Sequence, residues 1–262
     1  MLMRMPGPWH VVVTRDEGHD GPLSQALRAV GLRVVHCRLQ QEQAPMHMPP
    51  LIAAARALDQ YDWAIFSSRR AVSAIAAALS SPWPRGLRTA AVGGSTAGAI
   101  VAAGADPDSV VATESGADAL WTTLKNADTW AGKRVLVPAV AGGRQTVIDG
   151  LIRAGATVDV IEAYRMLPRP AAEISSEWHA SAPDAVIIAS PSAGSILINA
   201  VGRDALATLA AVVAIGPTTA AALVARGLTP DVAPKADFVA IANYIADLQD
   251  TGRSHPVRPT DG

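Results

Sequence analysis

Six short segments hold most of the residues in this chain that could do chemistry: Thr14-Arg15, Ser67-Ser68-Arg69, Gly93 to Thr96, Ala139 to Arg144, Ser190-Pro191-Ser192 and Gly216 to Thr219. Each follows an apolar, mostly β-branched run and opens a stretch of helical character. Hydroxyls and unpaired backbone N–H groups at the start of a helix attract anions, because the helix dipole leaves partial positive charge there. Arg15, Arg69 and Arg144 add whole charges to three of these segments. Candidate ligand contacts are therefore Arg15, Ser67, Ser68, Arg69, Ser95, Thr96, Arg144, Ser190, Ser192, Thr218 and Thr219. Such a set suits a ligand with several carboxylates. A plainer reading stands beside it: Ser67, Thr96, Ser192 and Thr219 would be helix caps and nothing more.

Tyr164, in the run VIEAYRMLP, is the residue best suited to proton transfer. Its phenol can act as a hydrogen-bond donor or weak acid. The same position also suits a half-buried aromatic that braces a crossing segment. Other chemistries lack their residues. No GxGxxG opens a helix after a strand, and GxxxxGK[ST], HExxH and GxSxG are missing. His10, His19, His36, His47, His179 and His255 are scattered, and the MHM at 46–48 has no further Cys or paired His beside it, so no metal site is expected. The single cysteine, Cys37, lies in the apolar run VVHCRL and reads as a small core residue. Catalysis by this chain would rest on positioning, electrostatics and one proton donor, without a cofactor.

Bulk properties fit that picture. Half of the 262 residues are hydrophobic, 17% are charged and the formal net charge is -1, which gives no general attraction for nucleic acid or anionic membrane. No apolar stretch is long enough to predict a membrane span, and the first residues do not read as a signal peptide. With one cysteine, a reducing cytoplasm is the expected setting.

The elements that must position these segments come as a repeat. Residues 10–39 and 134–167 each read strand, helix, strand, and Gly31 and Gly155 mark the helix ends. DWAIFSSRRAVSAI and DAVIIASPSAGSIL form a second pair, continued by RTAAVGGSTAGAIVAAGADPDSVV and AAVVAIGPTTAAALVARGLTPDVA. Asp62 to Asp184 spans 122 positions, Gly93 to Gly216 spans 123 and Gly31 to Gly155 spans 124. A near-constant offset at three landmarks argues for duplication. Continuous apolar strands between amphipathic helices predict α/β, doubly wound parallel sheets of about five strands each. In such sheets ligands bind outside the carboxyl ends of the strands, where the six segments fall.

The blocks, in this order, resemble uroporphyrinogen-III synthase. The likeness is carried by VVVTRDEG at 11–18, DWAIFSSRRAVSAI at 62–75, AVGGSTAGAIVAAGA at 91–105, the long run 132–168 with EAYR, DAVIIASPSAGSIL at 184–197 and VVAIGPTTAAALVARGLTPDV at 212–232. The resemblance implies two flavodoxin-like domains with parallel sheets joined by a two-stranded β linker, with linker strands near Val34–Leu39 and Ala163–Leu167. It implies a discontinuous domain 1 of residues 1–38 plus 168–250 and a domain 2 of residues 40–165. Residues 251–262, polar and rich in Pro and Gly, read as a flexible tail. The implied activity is the dehydrating cyclisation of hydroxymethylbilane, a linear tetrapyrrole, with inversion of the last pyrrole ring. That implies a cofactor-free cyclising hydro-lyase of tetrapyrrole biosynthesis in the cytoplasm, with substrate handed over from hydroxymethylbilane synthase; the sequence offers no obvious exposed apolar seam, so a monomer is expected.

By the same resemblance Tyr164 matches the tyrosine that donates a proton to the leaving hydroxyl. Thr96 and Thr219 match the threonines of the VGxxTA and IGPTTA blocks. Ser67, Ser68, Ser190 and Ser192 match positions that contact substrate carboxylates. Three departures stand out: SSRRAV in place of SPNAV or SPSAV, Gly194 in place of a Val, and Ala139 in place of an Arg. The alternative reading is a cytosolic sensor module of the same fold that binds a tetrapyrrole without turnover.

Overall fold

The computed structural model describes residues 7–106, 110–111, 117–143, 145–233 and 237–251. In chain order the first elements are β1 (His10–Val13), α1 (Pro22–Ala29), β2 (Arg33–His36), β3 (Gln40–Gln43), α2 (Met48–Arg56), β4 (Trp63–Phe66), α3 (Arg69–Ala78), β5 (Arg88–Ala91) and α4 (Gly94–Ala102). There follow β6 (Val110–Val111), α5 (Ala117–Leu124), β7 (Arg134–Val140), α6 (Thr146–Arg153), β8 (Thr157–Pro168), α7 (Ala171–Ser181), β9 (Ala185–Ile188) and α8 (Pro191–Val201). The chain continues with α9 (Arg203–Ala207), β10 (Ala211–Ala214), α10 (Pro217–Val224), β11 (Asp231–Val232) and α11 (Phe238–Thr251). No helix among the described residues is long and apolar enough to cross a membrane. The tail expected over 251–262 lies, from residue 252 on, outside the described residues, and Thr251 closes α11.

The chain divides into two compact units, one made of the residues up to Gln41 together with those from Pro168 on, the other of Glu42–Leu167. The first unit holds a five-stranded sheet in the order β11-β10-β9-β1-β2. The second belongs to a six-stranded sheet in the order β3-β8-β7-β4-β5-β6. The two orders are the same arrangement under the repeat. β7 and β8 stand where β1 and β2 do, and β4, β5 and β6 stand where β9, β10 and β11 do. The register agrees as well: His10 pairs with Arg33 and Arg134 with Thr157, 23 positions apart in both cases. Each sheet thus combines the first half of one copy of the repeat with the second half of the other.

Both sheets bury alternate strand residues under helices on opposite faces, as a parallel sheet requires. Val11, Val13, Ile187 and Val213 pack with Leu23 and Leu27 of α1 and Ile241 and Ile245 of α11. Val12, Val186, Ile188 and Val212 turn the other way, toward Ile174 and Trp178 of α7, Leu197 of α8 and Leu223 of α10. In the second unit Trp63, Ile65, Val135 and Val137 meet Leu120 and Leu124 of α5 and Leu151 of α6. Ala64, Phe66 and Leu136 meet Leu51 of α2, Val72 and Ile75 of α3 and Ile100 of α4.

One sequence expectation is corrected. Val34 to His36 belong to β2 and pair with β1, so the linker strand is not Val34–Leu39 but the next run, Gln40–Gln43, which lies beside β8. QQEQ is polar on both faces, so it carries no apolar alternation to mark it as a strand. Arg169, just after β8, secures the crossing: its backbone N–H donates to Leu39 O at 3.0 Å and its guanidinium to Arg38 O at 2.9 Å, while Glu173 and Glu177 accept from the same side chain at 3.0 and 2.6 Å.

Candidate functional site

In the second unit the carboxyl ends of β4, β5, β7 and β8 carry the chemistry. β4 ends at Phe66 and the chain turns into α3 through Ser67 and Ser68. Ser68 is the N-cap: its Oγ accepts from the Ala71 N–H at 3.2 Å, a cap worth about 1 kcal/mol. The same Oγ donates to the Tyr164 phenolic oxygen at 3.0 Å. Tyr164 comes from the far end of β8, where the pairing with β7 slips by one residue. Ala139 stands opposite Glu162, but Val140 stands opposite Tyr164. A bulge of this kind re-aims a side chain. Here Ala163 and Tyr164, although consecutive, are both buried in the apolar cluster of Phe66, Ala71 and Leu136, and Tyr164 is 7% exposed.

Three cavities open beside this pair: one of about 540 Å³ runs from Tyr164 between α2 and α3, past Met48, Leu51, Ala74 and Ala78, and holds none of the predicted ligand contacts, of which Ser67, Ser68, Arg69, Ser95 and Thr96 line the other two. One of these two, of about 490 Å³, is lined by Glu42, Ser68, Arg69, Arg70, Ser73, Ser95, Thr96 and Ala99. It brings together four of the sequence-predicted contacts, Ser68, Arg69, Ser95 and Thr96, at the first turns of α3 and α4. Arg70 is bound to Glu42 at 2.9 Å, whereas Arg69 is exposed and has no ion-pair partner among the described residues. Thr96 is 4% exposed. The other cavity, of about 390 Å³, is mainly apolar; Ile65, Val92, Val137, Ala139, Val147 and Ile148 form much of its wall. Ser67, Gly142, Gly143 and Tyr164 also reach it. Both volumes lie in the range of small-molecule sites. Arg144, predicted for the loop after β7, lies outside the described residues.

The first unit holds an equivalent but differently wired set at the ends of β1, β9 and β10. Ser190 caps α8, accepting from the Ala193 N–H at 3.1 Å, and shares a hydrogen bond with Ser192 at 3.0 Å. Thr14 ties the neighbouring strand ends together, donating to Ile187 O at 2.9 Å and accepting from the Ala189 N–H at 3.1 Å. Arg15 lies over the Phe238 ring at 5.0 Å and 3.4 Å from Glu17. Glu17 in turn accepts from the Ser24 N–H at 2.8 Å, so a carboxylate of the chain itself sits on the first turn of α1. Thr218 is exposed and Thr219 is 5% exposed, both in the first turn of α10.

The capping alternative is thereby redistributed. The side-chain caps are Ser68 and Ser190, not Ser67, Thr96, Ser192 or Thr219. Thr96 and Thr219 sit at the third helical position behind glycine caps, Gly93 and Gly216. Sequence reasoning passed over Glu42 and Ser73. Ser73 was within reach of it, one helical turn beyond Arg69; nothing in QQEQ marked Glu42.

Two parallel-sheet units from a duplicated βα framework, with hydroxyls, helix starts and arginines at the carboxyl ends of the strands, define a class of two-unit, doubly wound α/β protein. The chain belongs to the uroporphyrinogen-III synthase family: the family model described as uroporphyrinogen-III synthase HemD matches residues 21–241. Over 159 residues it is 31% identical to the uroporphyrinogen-III synthase of Synechococcus elongatus, a match that spans 59% of this chain and 59% of that relative. Among solved structures, uroporphyrinogen-III synthetase from Helicobacter pylori superposes with a TM-score of 0.57 at 15% identity, covering 92% of this chain and 99% of that one. A triple mutant of uroporphyrinogen III synthase from Thermus thermophilus superposes with a TM-score of 0.54 at 18% identity, covering 93% and 99%. At these identities the two structures establish a shared fold.

Proposed function

We propose that this protein is a uroporphyrinogen-III synthase, which converts hydroxymethylbilane to uroporphyrinogen III and water. The observation that carries the reading is Tyr164: a phenol on the wall of an apolar cavity, fixed by a serine that also lines a second cavity with Arg69, Ser95 and Thr96. In the proposed reaction Tyr164 gives its proton to the terminal hydroxyl of the bilane. The carbon–oxygen bond breaks with the electrons going to oxygen, water leaves, and the pyrrole nitrogen lone pair stabilises the resulting azafulvene. The substituted carbon of the last pyrrole attacks that methylene, giving a spiro intermediate. This opens and recloses with the ring inverted, and the proton lost on rearomatisation returns to the phenolate.

Each carboxylate of the substrate needs a donor. Arg69, Ser95 and Thr96 are assigned to this task in the second unit, with Ser67 beside the tyrosine; Arg15, Ser190, Ser192, Thr218 and Thr219 are the corresponding set in the first, and Arg144 is retained from the sequence. Holding the chain folded is the larger part of the work, since well-oriented intramolecular reactions gain roughly 7–11 kcal/mol over free ones. The two contact-defined units are read as the two domains of a cytoplasmic, monomeric, cofactor-free enzyme that takes its substrate from hydroxymethylbilane synthase.

Isomer analysis tests the reading. Hydroxymethylbilane made in situ by its deaminase is incubated with the protein, oxidised and separated by chromatography. Mostly type III porphyrin is the expected result. Type I alone, at the rate without protein, would overturn it.

A further inference from the structure

Ser68 is expected from its place in the chain to touch the ligand, but its oxygen already has two partners. It accepts from the Ala71 N–H at 3.2 Å and donates to Tyr164 at 3.0 Å. The other copy of the repeat separates the two tasks. Ser190 caps α8 with the same geometry, 3.1 Å from the Ala193 N–H, yet its second partner is Ser192. The position 124 residues before Tyr164 is Gln40. Capping therefore requires only the serine, and the bond to the phenol is an addition confined to the second unit.

The direction of that addition matters. The helical N–H takes one of the two acceptor sites of Ser68 Oγ, and the geometry of the contact makes the serine the donor to the phenol. A phenol that accepts from Ser68 keeps its own proton for something else, and no acceptor for it is present among the described residues. We infer that Ser68 is a positioning residue, holding the Tyr164 oxygen as an acceptor so that the phenolic proton faces the substrate's leaving hydroxyl. The inference rests on the synthase reading for its catalytic meaning, while the hydrogen-bond arrangement stands on geometry alone.

The test uses Ser68→Asp and Ser68→Thr, each alone and with Tyr164→Phe. Aspartate caps a helix as well as serine but has no proton to donate, so it forces the phenol to turn its hydrogen inward. Threonine keeps both functions. Expected for Ser68→Asp are an unchanged Tm, a kcat lowered about as far as by Tyr164→Phe, roughly 100-fold, and no further loss of kcat in the double variant. A rise in KM from the added charge would be the same in both backgrounds. Ser68→Thr restores kcat to the wild-type level. Independently of substrate, the isotope-edited infrared C–O stretch of tyrosine should change from an accepting to a donating signature in Ser68→Asp, and the change should vanish in Tyr164→Phe. Losses in kcat that multiply in the double variant, or an unchanged phenol signature, would overturn the inference. If the wild-type protein yields only type I product, the synthase reading falls, and the infrared comparison still decides the Ser68–Tyr164 arrangement.

Discussion

Asp62 and Asp184 perform one task in the two copies of the repeat: each carboxylate accepts, at 2.8 Å, the backbone N–H that opens the adjacent strand, Arg134 for Asp62 and His10 for Asp184. The backbone repeats it too. Asp62 N–H donates to Arg134 O and Asp184 N–H to His10 O, while Arg88 and Ala210 donate back to the two aspartate carbonyls. An aspartate before a strand thus pins the start of the parallel pair β4–β7, or β9–β1. The Arg134 N–H is the main reason that the Asp62 carboxyl is held below the usual carboxylate value, with Lys133 assisting. A depressed folded-state value means stability that is present above the ordinary carboxylate range and lost as pH falls through the folded value, so the window lies below about pH 4. Asp62→Asn should cost about 1 kcal/mol or less at pH 7, since the side chain is part-exposed. It should also flatten the acid limb of the stability curve. Urea unfolding at pH 7 and below pH 4 checks this; parallel curves for the variant and wild type would count against it.

Tyr164→Phe removes the acid and leaves the aromatic packing. The expectation is a fall in kcat of about 100-fold, little change in KM and an unchanged circular dichroism spectrum. A variant with full turnover would return Tyr164 to a bracing role.

Arg69 and Arg70 are adjacent but differently engaged. Arg70 is already paired with Glu42 at 2.9 Å, while Arg69 faces the cavity without an ion partner among the described residues. Arg69→Ala should raise KM several-fold, the cost of about 1 kcal/mol of screened charge pairing, and weaken its dependence on salt. Arg70→Ala should act less on KM. Steady-state kinetics at two ionic strengths separates the two.

Gly194 stands where relatives were expected to carry valine, and packing accounts for it. A Cβ built there would approach Leu223 Cδ2 to 2.7 Å, so α8 and α10 approach each other through the missing side chain. Gly194→Val should destabilise the first unit by about 1–3 kcal/mol, the usual cost of overpacking. Chemical denaturation measures it, and a neutral effect would mean that α10 moves aside freely.

Burial pushes the Cys37 thiol up to about 11, with Glu177 adding to the effect. At pH 8 the native protein should react with a disulfide reagent only as fast as it unfolds, and fully in denaturant. Rapid native labelling would show that the thiol is accessible.

Much of this fold was legible because its signals are local. Continuous apolar runs gave β4, β9 and β10, and the offsets of 122 to 124 exposed the repeat. The linker strand β3 was misplaced because polar residues on both faces leave no period to detect. Within the site, the loop after each strand was readable from topology, but the wiring was not. Ser68 and Tyr164 are 96 positions apart, and only the slipped register after Ala139 brings the phenol to the serine. Arg15 reads from its loop as an anion contact, whereas Phe238, the ring it lies over, is more than 200 residues away in a helix whose sequence says nothing about β1.

The interleaved order of the two units sets a timetable for synthesis. β1 pairs with β9 on one side and β2 on the other, and its Val11 to Val13 are wholly buried. On the ribosome that strand emerges ahead of its partner Ala185 to Ile187 by some 174 residues, roughly 9–35 seconds at about 5–20 residues per second. The contiguous stretch 42–167 is complete before then. The nascent chain must therefore carry an apolar, half-paired β1–α1–β2 segment while the inserted unit condenses behind it.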